Sequence, residues 1–305
     1  MKIFLTGATG LLGSNILATK LDSFEIIASY RSKSLVTNHP NIRTSNIDLT
    51  DIDQVRKTLC ESKCKLVINS AGYTNVNGCE QYPEKAHKEN VLIAQNLAIV
   101  THELGLDFIH ISSDHLFSGQ NELSNEKTQV SPINEYARSK VQAEEVVKKE
   151  NNSTLIIRTN FYGWGPLHRN SFSDWIINAL TNNEAITMYT NLFYTPINVN
   201  TLIDTIFELY EKDAQGIYNV VGDDRISKYD FGKLLAKEFH LDEKLISKGL
   251  YNSSDQLIKR PEDMSLSNSK VANLLKHSVE NIESGINKLK ETQGIQKKVN
   301  ALFKS

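Results

Sequence analysis

The chain has 305 residues, 23% of them charged, and a formal net charge of −2. That length holds one large α/β domain, or one domain carrying a smaller lobe. The balanced charge gives no nucleic-acid surface and no apolar run is long enough to span a membrane, and three cysteines (Cys60, Cys64, Cys79) with no C-x-x-C spacing argue against a disulfide framework or a metal site. Lys2 before an apolar run resembles a signal peptide, but Thr6 and Gly7 interrupt the run and no cleavage motif closes it, so a cytoplasmic protein is expected.

The chain opens on MKIFLTGATGLLGSN. Ile3, Phe4 and Leu5 predict a strand, and Leu11, Leu12, Ile16 and Leu17 begin a helical pattern. Between them Gly7, Gly10 and Gly13 recur every third residue. Strand, glycine turn and helix together predict a dinucleotide-binding unit, whose helix N-terminus offers free N–H groups to a pyrophosphate. Gly7, Thr9, Gly10, Leu11, Leu12 and Gly13 are its candidate contacts. The spacing is G-x-x-G-x-x-G, one residue wider at the first step than the usual fingerprint.

A second strand, FEIIASY (24–30), runs into Tyr30-Arg31-Ser32-Lys33. At this position a carboxylate bonds the ribose 2′-hydroxyl of NAD, whereas an arginine takes the 2′-phosphate of NADP. No carboxylate is present, so Arg31 and Ser32 predict NADPH, with NADH as the lesser candidate. The alternative for Arg31 is an ordinary surface residue.

Next, a short strand ends in Asp48-Leu49 before a helix starting at Thr50 or Asp51. Asp48 is placed to reach the adenine amino group, while the helix cap belongs more naturally to Thr50 or Asp51. KLVINSAGYTNV (65–76) is a buried strand running into Asn69, Ser70, Ala71 and Gly72, small residues that leave room for a ligand at a strand's carboxyl end. A long amphipathic helix containing Asn90 follows, then DFIHISSDHLFSG (107–119), a strand ending in Ser112-Ser113-Asp114. NEYARSKVQAEEVVKKE is a helix, and STLIIRTNFYGWG (153–165) is a strand followed by an aromatic loop. The alternation predicts a doubly wound parallel sheet, a Rossmann-type α/β fold.

From about residue 160 the rhythm changes. TPINVNTLIDTIFELYEK predicts a helix, GIYNVVG (216–222) a further strand, and ISKYDFGKLLAKEFHL a helix opened by Ser227. The expected division is a dinucleotide domain over 1–158, with 196–222 returning to it, and a smaller C-terminal lobe from 159–195 and 223–305. Lys297, Lys298 and Lys304 around Val299, Leu302 and Phe303 read as a solvated terminal helix.

Tyr136 and Lys140 stand four residues apart, on one helix face. A phenol is a poor acid–base group at neutral pH, and a neighbouring cation lowers its pKa toward the working range. Ser113, at the end of the preceding strand, supplies a hydrogen-bond donor. A Y-x-x-x-K pair alone is weak; with Ser113 and the glycine turn it is a catalytic set.

Gly7-x-x-Gly10-x-x-Gly13, Asn69-Ser70-Ala71, Ser112-Ser113-Asp114 and Tyr136-x-x-x-Lys140 resemble the extended short-chain dehydrogenase/reductases. HISSDHLFSG, LIIRTNFYGWG and RPEDMSLSNSK are similar to segments of the nucleotide-sugar 4-ketoreductase branch, the dTDP-4-dehydrorhamnose reductases. The resemblance implies NADPH-dependent reduction of the C4 ketone of a nucleoside-diphosphate 4-keto-6-deoxysugar, in deoxysugar or surface-polysaccharide biosynthesis. It implies Tyr136 as proton donor, Ser113 as a hydrogen bond to the same oxygen, Lys140 as tuner of Tyr136 and holder of the nicotinamide ribose, and Asn90 as support of a water relay. A homodimer is common among similar enzymes.

His115 stands where the family often has tyrosine; it either alters sugar fit or merely packs. Ser70 is a smaller departure. Asp114 and His115 join Ser113 as candidate substrate contacts. In the lobe, Trp164 either stacks on a base or sugar or packs in the core. Asn170 bonds a sugar or phosphate or caps a loop, and Arg260 matches a family arginine that meets the pyrophosphate or forms a surface ion pair. Two other functions compete: an epimerase or dehydratase on the same frame, and a non-catalytic NADP-binding regulatory subunit. Asp114-His115 lacks the Asp-Glu pair of a 4,6-dehydratase, which disfavours that one.

Overall fold

The computed structural model describes residues 1–30, 35, 39–252 and 258–303. Its centre is a seven-stranded sheet: β1 (Lys2–Thr6), β2 (Glu25–Tyr30), β3 (Ile42–Asn46), β4 (Leu66–Asn69), β5 (Asp107–Ile111), β6 (Leu155–Arg158) and β7 (Gly216–Asn219). The order is β7-β6-β5-β4-β1-β2-β3, and every pairing is parallel. Strand order reverses between β1 and β4, whose register pairs Thr6 with Asn69. A crevice opens at the carboxyl ends of the strands on either side of such a reversal, and ligands bind there.

Both faces of the sheet are covered, which is why its strands read as nearly continuous apolar runs. Ile3 and Leu5 point into one core with Ile16 and Leu17 of the first helix (Leu11–Lys20) and with Leu202 and Ile206 of helix Val199–Glu211. Phe4 points the other way, into a core with Val55, Leu97 and Val147 from helices Ile52–Ser62, Ile93–Glu103 and Glu135–Glu150. The period-two alternation of a strand thus feeds two cores. Each fully buried aliphatic side chain contributes about 1.5–3 kcal/mol.

A third core belongs to the lobe. Tyr162, Trp164, Ile176, Phe231, Leu235 and Leu289 meet there, drawn from segments far apart in the chain. Helices Phe172–Thr181, Lys228–Glu238 and Ile282–Glu291 surround it. Two of them start at serine caps, Ser171 and Ser227, whose hydroxyls accept from Asp174 N and Asp230 N. The terminal helix Gln293–Ala301 is not merely solvated as expected. Val299 is buried and Leu302 joins the first-helix core, because the apolar face of this segment finds an uncovered stripe on Leu11–Lys20. Among the described residues no helix is long and apolar enough to cross a membrane.

Candidate active site

The glycine turn has the shape a diphosphate requires. Gly7 has φ +64°, and a Cβ placed on it would lie 2.6 Å from the Ser70 backbone, so the end of β1 can approach β4 only without a side chain. A Cβ on Gly13 would strike the Gly7 carbonyl, where the first helix sits down on the turn. Gly10 caps that helix with no side-chain hydrogen bond, and the first turn carries no acidic residue. Its N–H groups are left for an outside anion. Ser70 Oγ donates to Thr6 O at 2.7 Å and Thr6 Oγ1 to Asn69 Oδ1 at 2.6 Å, tying the two strand ends together.

Two cavities meet over this turn. One, about 300 Å³, is lined by Gly7, Gly10, Leu11, Leu12, Gly13, Ser70 to Gly72, Asn90, Ser112 to His115, Tyr136, Lys140 and Asn170. The other, about 240 Å³, runs over Thr9 to Ser29, Tyr30, Ile47 and Leu49. The chain therefore brings most of the residues named from sequence into one cleft.

Ser113 lies just beyond β5, while Tyr136, Lys140 and Glu144 share one face of Glu135–Glu150. Asn134 caps that helix, its side chain accepting from Ala137 N at 2.9 Å. Burial pushes the Tyr136 phenol up to about 12, and the hydrogen bond with Ser113 pulls the other way. Lys140 was expected to lower this pKa; in the chain alone, desolvation outweighs every charge near the ring. The consequence is a phenol that keeps its proton at neutral pH, the form a proton donor needs. Lys140 is itself lowered to about 8 by burial, opposed by Glu144, and its Nζ donates to Ile111 O at 2.8 Å.

Beneath them lies a buried ion pair. Arg158 at the end of β6 donates to Glu144 through Nε at 2.9 Å and Nη2 at 2.7 Å. Ser112 Oγ donates to the same carboxylate at 2.6 Å. The pair fixes the end of β5 against helix Glu135–Glu150, one residue before Ser113. Asp114 is also buried. Burial raises its pKa, but His115 at 2.8 Å, the Asn160 amide at 2.6 Å and the charge of Lys228 outweigh it and hold the carboxyl below its usual value. His115 stands edge-on to the Tyr136 ring, with centroids 5.6 Å apart.

Asn90 lies on a π-helical turn, His87–Leu92, of the kind often found at functional sites. Its Oδ1 accepts from Tyr73 N at 2.7 Å, and its Nδ2 donates to Tyr73 O and Ser139 Oγ. Those bonds occupy the amide and pin the loop after β4 to helix Glu135–Glu150.

Several candidates fall elsewhere. Trp164 is 5% exposed, its Nε1 donating to Leu289 O at 2.8 Å and its ring packed edge-on against Phe239. It is a core residue of the lobe and not a stacking surface in the cleft, because Gly163 and Gly165 turn it inward beside Ser171–Asp174. Asp48 is exposed and accepts from Thr50 N and Oγ1, outside the cavity that Leu49 lines. Arg260 is exposed, with Nη2 on Asn77 Oδ1 at 3.2 Å, and lines neither cavity. Arg31 and Ser32 lie outside the described residues. Conversely, Thr159, Asn160, Phe161 and Arg169 line the larger cavity and were not singled out. The first three directly follow β6, and the rule that parallel strands present ligands at their carboxyl ends would have found them.

A reversal point with a glycine turn, opposite a buried Ser–Tyr–Lys set, defines a reductase of the short-chain dehydrogenase/reductase type. The chain belongs to the family described as the RmlD substrate binding domain, whose model matches residues 1–293. It is 31% identical over 277 residues to the probable low-salt glycan biosynthesis reductase Agl14 of Haloferax volcanii, covering 89% of this chain and 91% of that one. It is 24% identical over 288 residues to dTDP-4-dehydrorhamnose reductase of Aggregatibacter actinomycetemcomitans, covering 88% and 92%. The fold matches a structure of dTDP-4-dehydrorhamnose reductase from Bacillus anthracis in complex with NADP, with a TM-score of 0.82 at 23% identity over 96% of this chain and 99% of that one.

Proposed function

We propose that the protein uses NADPH to reduce the C4 ketone of a nucleoside-diphosphate 4-keto-6-deoxysugar. The observation that carries this reading is the buried, protonated Tyr136 beside Ser113 on the wall of a cavity continuous with the glycine turn. The turn fits a dinucleotide, since a Cβ would fill the cradle at Gly7 and the helix end at Gly10 is uncapped. Gly7, Thr9, Gly10 and the first-helix N–H groups would hold the diphosphate. When bound, the nicotinamide supplies the hydride for the carbonyl carbon.

The remaining steps belong to the chain. Ser113 donates a hydrogen bond to the carbonyl oxygen, and Tyr136 delivers its proton there as negative charge builds. Lys140 contributes positive charge behind the phenol, and Glu144 favours the charged form of that lysine. Asp114, His115, Asn160, Phe161 and Asn170 form the wall that faces the sugar nucleotide. The nearby biosynthetic names among relatives support a role in making deoxysugars for glycans.

Incubation of the protein and NADPH with a panel of nucleotide-linked 4-ketosugars tests the reading, with loss of reduced-cofactor absorbance as the signal. Oxidation with at least one member is expected. NADPH binding without oxidation of any member would favour a non-catalytic subunit.

A further inference from the structure

Among the described residues common to both cavities, Arg169 alone carries a charge; the others are Gly7, Gly10, Ser70, Ala71 and Gly72. It comes from the lobe, on the exposed loop between Trp164 and helix Phe172–Thr181. The loop is fastened just before Arg169. Leu167 N donates to Asn300 Oδ1 at 3.1 Å, and the His168 ring lies 4.7 Å from Phe303 and 3.2 Å, through Nε2, from Thr9 O. Those contacts carry Arg169 across the mouth of the cleft. One guanidinium nitrogen donates to Thr74 Oγ1 at 2.5 Å, and another would lie 4.0 Å from a Cβ placed on Gly10.

Two positive groups thus face each other: the uncapped end of the first helix and the guanidinium above it. Among the described residues no carboxylate forms an ion pair with Arg169. Such an arrangement costs electrostatic energy until an anion lies between the two. A diphosphate matches it, because backbone N–H groups can bind one side and a planar guanidinium fork the other.

We propose that Arg169 clamps the cofactor's diphosphate against the glycine turn, so that the substrate lobe takes part in holding the dinucleotide. The inference rests on the reading of this cleft as an NADPH site. A nucleotide sugar carries a diphosphate too; the position over Gly10 assigns the clamp to the cofactor.

The test is titration of the full chain with three probes: NADPH, reduced nicotinamide mononucleotide (one phosphate, no diphosphate) and dTDP. Arg169→Gln is expected to weaken NADPH about 10- to 100-fold, the scale of one or two charge-assisted hydrogen bonds. The mononucleotide and dTDP should be unaffected. Arg169→Lys, which keeps the charge but not the fork, should recover only part of the loss. Unchanged NADPH affinity in Arg169→Gln overturns the clamp, and so does a loss confined to dTDP, which would move the arginine to the sugar nucleotide. Wild-type protein that binds no NADPH would instead overturn the underlying cofactor reading. Arg169 is exposed, so the variant should fold, and an unchanged circular dichroism spectrum checks that.

Discussion

On the sheet side of the cleft, Ser113, Tyr136 and Lys140 are buried, and the groups behind them are bonded in turn: Ser112 to Glu144, Glu144 to Arg158, Asn90 to Ser139. On the lobe side, Arg169 and Asn170 stand exposed on a loop held by a few polar contacts and one ring contact. The first arrangement suits chemistry, which needs a proton donor placed within a fraction of an ångström. The second suits recognition, since a loop can change its side chains without disturbing a core.

Substitutions on the two sides should therefore fail in different ways. The largest effect is expected from Tyr136→Phe, which removes only the proton. Its kcat should fall about 10²- to 10⁴-fold with NADPH affinity retained, as turnover and binding measurements would show. Near-wild-type turnover would remove Tyr136 from the mechanism.

Glu144→Gln should follow, because it leaves the Arg158 charge buried without a counter-charge. A stability loss of about 3–5 kcal/mol is expected from the denaturant midpoint. Replacing both partners with apolar residues, Glu144→Leu with Arg158→Met, should recover most of it. Asn170→Ala on the lobe loop should stay within about 0.5 kcal/mol; a comparable loss there would break the contrast.

Lys140 sharpens the comparison through pH. Its pKa is lowered from 10.5 to about 8 in the folded chain, so between those values the unfolded chain binds more protons. Its contribution to stability therefore rises with pH across that window. Activity should move oppositely: kcat/KM for NADPH, which reports free-enzyme groups, should fall as pH rises through about 8 and the ammonium is lost. A flat profile over that range would detach Lys140 from the reaction.

Among the buried positions, the smallest effect is expected from Trp164→Phe. Losing the Nε1 bond to Leu289 O should cost about 1–2 kcal/mol of stability and leave the sugar-nucleotide KM unchanged. A rise in KM without a stability loss would return Trp164 to the substrate site.

What the sequence determined by itself was local. Three glycines at fixed spacing, alternating strands and helices, and a Tyr136–Lys140 pair one helical turn apart each follow from a few neighbouring residues and the periods of strand and helix. They prescribe the doubly wound frame, because a strand, a turn and a helix joined in series have few ways to pack. The tertiary structure decided everything that depends on distant segments meeting. Trp164 reads equally as a ligand platform or a core residue until Leu289, 125 residues on, accepts its N–H. Glu144 and Arg158 become a buried ion pair only because β6 packs beside helix Glu135–Glu150. The basic terminal segment looks solvated until it meets the first helix. Arg169 gives no signal in sequence at all; its meaning comes from the fold, which places a loop of the lobe over Gly10 at the other end of the chain.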